Sequence, residues 1–168
     1  MAKKDDQGQI GKIVAVVRIM LGWVFFWPFM DKTFGLGFST VANKAWILGN
    51  SPTSGFLKAS TNGPFDGFYH AMIGMPVVDW LFMVGLLGIG VSLILGIYMR
   101  FASYCGILLL GLIFFANLPL KTNPLIDQHI IYIVILYGFT LMPSIGEVWG
   151  LGKWWKSQSF VKQYPFLA

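Results

Sequence analysis

The chain has 168 residues, of which 56% are hydrophobic, 17% aromatic and 11% charged, with a formal net charge of +5 and a mean hydropathy of +0.68. Soluble domains carry about 25% charged and about 45–50% apolar residues, so too little polar surface remains here to coat a water-soluble globule. Disorder is excluded by the same figures, because disordered chains are poor in aromatics and rich in charge. The length suits one domain. This composition describes an all-α integral membrane protein.

A basic N-terminus with Lys3, Lys4 and Lys12 leads into a first apolar stretch over 13–30. That flank resembles a secretory signal, but Arg18 interrupts the apolar run, Pro28 lies near its end and no small-x-small cleavage site follows, so an uncleaved helix is expected. Arg18 sits one to two turns inside. An unpaired charge there either snorkels to the interface or faces the bundle and binds a polar or anionic partner.

The link over 31–76 exceeds the usual bundle connection of about 2–8 residues and is expected to be structured. Ser51-Pro52 suits a helix opening. Trp46, Phe56, Phe65, Phe68 and Tyr69 place the loop either on the outer membrane surface or over the bundle mouth, as a lid or as an interfacial cap. A second stretch over 77–99, a third over 101–118 and a fourth over 126–142 complete a four-transmembrane-helix bundle. Spanning the hydrocarbon core takes about 17–25 residues, a range within which only the second is comfortably long and the other three lie near the lower limit. Each is read as a helix, because backbone groups in lipid must be satisfied within the segment. In the second stretch Gly85, Gly88, Ser92 and Gly96 form a small-residue face that favours close helix packing, or a flat groove for a quinone ring or lipid tail. The segment 147–168, with Trp149, Trp154 and Trp155 beside Lys153 and Lys156, reads as an amphipathic interfacial tail.

Seven basic residues fall with the termini and the second connection, against four with the first and third connections. The positive-inside rule therefore expects both termini in the cytosol of a multi-pass cell-membrane protein. The basic residues form no patch interleaved with aromatics, so nucleic acid is not an expected partner. Cys105 is the single cysteine and forms no internal disulfide.

No phosphate-binding glycine loop, CxxC, HExxH or nucleophile elbow is present. His70 in a loop and His129 at a helix start make a poor pair of haem ligands, and no metal or flavin site is evident. A polar cluster is expected where the helices meet the long loop: Asp31, Lys32, Asp79, Asn117, Lys121, Asn123, Asp127 and His129. Asp127 has the position of a helix cap. Histidine titrates near neutrality and so suits proton exchange, and Tyr132 lies at i+3 from His129 on nearly the same face.

Arg18-x-x-x-Gly22 followed by Asp31-Lys32 resembles the R-x-x-x-G…K pattern of the DoxX/DoxD membrane proteins. The stretches 46–57 (WILGNSPTSGFL), 63–65 (GPF), 78–87 (VDWLFMVGLL), 123–132 (NPLIDQHIIY) and 149–155 (WGLGKWW) are similar to the DoxD-like branch. The resemblance covers nearly the whole chain, though its motifs are loose. It implies a four-helix membrane subunit and, in that branch, thiosulfate:quinone oxidoreductase, which couples two thiosulfates to tetrathionate and reduces quinone. On this reading His129, Asp127 and Tyr132 serve quinone and its protons, while Arg18, Lys32, Asp31 and Lys121 serve the anionic substrate. The expected partners are membrane lipid, quinone and a redox subunit or larger membrane complex. The alternative is a non-catalytic accessory subunit packed within such a complex.

Overall fold

A computed structural model describes residues 2–60, 63–120, 123, 125–164 and 166. Among these residues the regular structure is entirely helical. Three helices are long and apolar enough to cross a membrane: α1 (Ala2–Phe34), over Gln7–Phe34, α4 (Pro76–Leu95) and α5 (Met99–Ala116). A fourth apolar helix, α6 (Gln128–Leu141), has only 14 residues. Between α1 and α4 lie 3₁₀ turns at Ala42–Lys44 and Trp46–Leu48, then α2 (Ser54–Ser60) and α3 (Asp66–Ala71). After α6 come a 3₁₀ segment, Pro143–Glu147, and two short helices, α7 (Gly152–Ser157) and α8 (Ser159–Gln163).

Among its described residues the link over 31–76 carries these short helices, the first α-helix opening at Ser54 rather than at Ser51-Pro52. Ser51 caps from outside: its hydroxyl accepts from the Ser54 amide at 3.1 Å. The turn expected at 100 lies earlier. Gly96 adopts φ +72° and its amide, with that of Ile97, returns to the Ser92 carbonyl, a glycine helix stop. Tyr98 at φ +51° completes the reversal. Hydropathy hid this corner because Ile97 and Tyr98 are themselves apolar.

The four long helices pack in chain order, α1 on α4, α4 on α5 and α5 on α6. Their shared core holds Leu21, Phe25, Met83, Leu86, Ile89, Leu110, Leu136 and Phe139. Gly106 lets the four meet: a Cβ there would touch Leu136, Ile89 and Phe25. One close crossing brings glycines of α1 and α4 together. A Cβ on Gly22 would lie 3.0 Å from the Gly90 carbonyl oxygen, and one on Gly90 would lie 2.8 Å from the Phe26 nitrogen. The small-residue face expected from Gly85, Gly88, Ser92 and Gly96 is not this contact. Gly88 is exposed with nothing within 4 Å of a Cβ, and Gly96 is the helix stop.

Outside the core the bundle is apolar. Ile13, Met20, Leu81, Leu108 and Val134 are all more than 60% exposed, a surface that belongs in lipid rather than in water. Lipid contact along these helices follows.

Candidate functional site

The tail end of the bundle is organised by Arg18, which is fully buried and does not snorkel. One guanidinium nitrogen donates to the carbonyls of Leu93 at 2.5 Å and Ile94 at 3.0 Å. The other donates to the carbonyls of Val148 at 3.0 Å and Trp149 at 3.2 Å. A helix leaves its last four carbonyls without intrahelical partners, and for α4 those belong to Ser92, Leu93, Ile94 and Leu95. The Gly96 and Ile97 amides take the first, Arg18 takes the next two, and the Leu151 amide takes the fourth at 2.7 Å. Arg18 therefore caps α4, lies at its negative dipole end, and ties the post-α6 segment to α1. Glycines make room: a Cβ on Gly96 would lie 2.8 Å from the guanidinium, and one on Gly150 3.1 Å from it.

At the loop end, three aspartates fasten backbone. Asp31, 1% exposed, accepts from the Phe38 amide at 3.2 Å, the Ser39 amide at 2.9 Å and the Ser39 hydroxyl at 2.6 Å. Asp79 accepts from the hydroxyls of Ser51 at 2.8 Å and Thr53 at 2.5 Å, and from the Thr53 amide at 3.3 Å. Each carboxylate thus turns the long loop back onto its own helix start or end. Lys32 is half-buried beside Asp31; Lys121 lies outside the described residues.

Asp127 is the N-cap of α6, accepting from the His129 amide at 3.0 Å and the Ile130 amide at 3.2 Å. Its second oxygen meets His129 Nδ1 at 2.5 Å. Burial alone would push the Asp127 carboxyl up. The His129 ring bond, the backbone amides and the attraction of the imidazole outweigh it and hold the carboxyl below the usual range. Among the described residues His129 Nε2 has no hydrogen-bond partner. Tyr132 is partly buried against the core. No hydrogen bond or ion pair among the described residues joins Asp31 or Lys32 to this pair.

An apolar pocket of about 450 Å³ lies between α4 and α5 beside α2 and α3, open on the side where Leu81 and Leu108 are exposed. Its walls include Phe82, Gly85 and Ile89 of α4, Cys105, Leu108 and Leu109 of α5, and Phe56, Leu57, Phe68 and Tyr69 of the loop. Phe56, Leu57, Phe68 and Tyr69 place the loop helices α2 and α3 against α4 and α5 at this pocket. Tyr69 is held there by its hydroxyl, which donates to the Leu112 carbonyl at 2.7 Å, and burial pushes its pKa up, keeping it a neutral donor. None of Arg18, Asp31, Asp127, His129 and Tyr132 lines this cavity. Sequence reasoning noted the loop aromatics but missed that they line one pocket with Gly85.

Among the described residues no group of three or more His, Cys, Asp or Glu is placed to hold a metal ion. Fold and lipid-facing surface together define a membrane protein of the all-α class. Comparison with known proteins finds no family model, no curated protein and no solved structure that matches the chain.

Proposed function

We propose that this chain is a four-span membrane subunit of a quinone-linked redox system, with the Asp127–His129 pair handling protons at the loop end. One observation carries the reading: an imidazole held through Nδ1 by a carboxylate, with no partner for Nε2 among the described residues, is an arrangement that orients a ring for proton transfer. The resemblance to the DoxD-like branch supplies the reaction. Two thiosulfate anions couple through a new S–S bond to tetrathionate and release two electrons. Quinone takes both, with two protons, to become quinol. Lys32, Lys44, Lys58 and Lys121 would draw the anion, and Tyr132 would support the proton site. The electron route runs directly between substrates or through a partner subunit.

The fourth span is supported by length. Laid end to end, the 14 residues of α6 and the 3₁₀ segment Pro143–Glu147 extend about 31 Å, from rises of about 1.5 and about 2.0 Å per residue. The hydrocarbon core is about 30 Å thick.

A second reading, the accessory subunit of a larger complex, is favoured by the fact that Arg18, Asp31 and Asp79 all bond the protein's own backbone or loop hydroxyls. One preparation separates the two. Purified chain, with His129→Ala beside it, is assayed for thiosulfate-dependent quinone reduction, bound quinone and thermal melting. The redox reading expects turnover by the parent and its loss in the variant at an unchanged melting temperature. No turnover, with other redox subunits co-purifying, makes the chain an accessory subunit.

A further inference from the structure

The tail end of the molecule carries cations that the protein does not neutralise. Over 147–168 the one acidic side chain is Glu147, and Lys156 takes it at 2.8 Å. Lys153 and Lys162 stay exposed, without an ion pair among the described residues. Arg100, exposed in the first turn of α5, is a third such cation. At the loop end, by contrast, four aspartates offset four lysines.

Packing fixes the depth of these groups. The 20 residues of α4 rise about 30 Å, the thickness of a hydrocarbon core, so a spanning α4 puts Leu95 at the boundary with the headgroups. The tail is fastened to that boundary. The Leu151 amide donates to the Leu95 carbonyl at 2.7 Å. Buried Trp155 lies on Tyr98 of the α4–α5 corner, with ring centroids 4.1 Å apart. Gly152 and Trp155 of α7 are buried, as is Val161 of α8, whereas Lys153, Trp154, Phe160 and Lys162 are exposed. Tryptophan favours the headgroup level, and basic side chains there meet lipid phosphate.

We infer that the tail end is a binding surface for anionic phospholipid headgroups of the leaflet it adjoins, with Arg100, Lys153 and Lys162 pairing with phosphate and Trp154 and Phe160 seated in the interface. The surface is continuous with the apolar, lipid-facing sides of α4 and α5 at Leu95, Phe101 and Tyr104. A soluble acidic partner would answer the charge but not the exposed aromatic rings. A zwitterionic headgroup carries its own cation, so three unneutralised cations favour anionic lipid. Each basic side chain near an anionic surface is worth about fivefold in binding, on the order of a hundredfold for three. The inference needs the spanning helices and not the redox reading.

The same segment supplies the Val148 and Trp149 carbonyls to Arg18, so lipid that holds the tail also holds that node. A ligand that binds only the folded form raises the melting temperature once its concentration passes Kd.

The full chain in dodecyl maltoside is titrated with phosphatidylglycerol, with phosphatidylcholine of the same acyl chains, or with inorganic phosphate, and its melting is followed. Phosphatidylglycerol is expected to stabilise at lower concentration than phosphatidylcholine, and inorganic phosphate is expected to do nothing. The screening length shrinks to about 3 Å at about 1 M salt, so the preference should collapse there. Combining Arg100→Gln, Lys153→Gln and Lys162→Gln removes no ion pair seen within the protein. That variant should melt like the parent in phosphatidylcholine, while its half-saturating phosphatidylglycerol rises at least about tenfold. Lys44→Gln with Lys58→Gln, both exposed in the loop, should leave the preference intact. Equal stabilisation by the two lipids, a preference that survives high salt or the triple substitution, or stabilisation by inorganic phosphate would each overturn the assignment. Should the triple variant melt early, the salt series on the parent decides.

Discussion

Four carbonyls converge on Arg18 from two segments that the sequence separates by more than fifty residues, Leu93–Ile94 and Val148–Trp149. The fully buried side chain satisfies all four. Arg18→Leu strands all four. An orphaned buried acceptor costs about 1–3 kcal/mol, reduced in lipid where freed groups find other partners, so the loss is on the order of 3 kcal/mol. Lysine keeps the charge but offers three donors on one nitrogen in place of a planar fork. In a detergent melt the order should therefore be parent, then Arg18→Lys, then Arg18→Leu; equal melting of parent and Leu variant would show that the node is dispensable. The arginine itself was legible from sequence as an anomaly in an apolar helix. Its partners were not, because backbone carbonyls carry no sequence signature. The same holds for Asp31 and Asp79, whose acceptors serve loop amides and hydroxyls that no spacing rule points to, whereas the cap at Asp127 follows from its place before α6.

Among the elements, helix existence was plain and helix contact was not. Apolar runs announce α1, α4, α5 and α6, since hydropathy needs no partner to be read. Which glycine faces which helix depends on crossing position, and there the regular spacing of Gly85, Gly88, Ser92 and Gly96 misled: the backbone approach falls on Gly90, off that face. Two alanine substitutions on α4 measure this. At Gly90 the new methyl would meet the Phe26 backbone, which cannot swing aside as a side chain can, and overpacking of this kind costs about 1–3 kcal/mol. At Gly88 nothing lies within 4 Å, and alanine gains up to about 1 kcal/mol in helix propensity. Melting temperatures should move in opposite directions, and a drop at Gly88→Ala matching that at Gly90→Ala would restore the small-residue face as the packing surface.

At the scale of the whole molecule, the Arg18 node constrains how the chain threads the bilayer. It joins the first half of α1, the C-terminal end of α4 and the segment just after α6. These three belong to one end of the bundle, while the loop helices α2 and α3 and the N-cap of α6 belong to the other. On the four-span reading proposed above, the tail is expected on the side of the N-terminus, with the 14-residue α6 crossing between the two ends. Charge is consistent with this: outside the three apolar helices, Lys3, Lys4, Lys153, Lys156 and Lys162 fall with the termini, and Lys44 and Lys58 with the described part of the long loop. In a Cys105→Ala background, Gln7→Cys, Lys44→Cys and Ser157→Cys place single thiols on the N-terminal segment, the loop and the tail, all at exposed positions. A membrane-impermeant maleimide applied to intact cells should modify Lys44→Cys directly, and the other two only after permeabilisation. Modification of Ser157→Cys together with Lys44→Cys in intact cells would mean that α6 does not cross. The carbonyls of Val148 and Trp149 could not then reach Arg18, and the predicted loss of stability in Arg18→Leu should shrink to the two bonds at the end of α4.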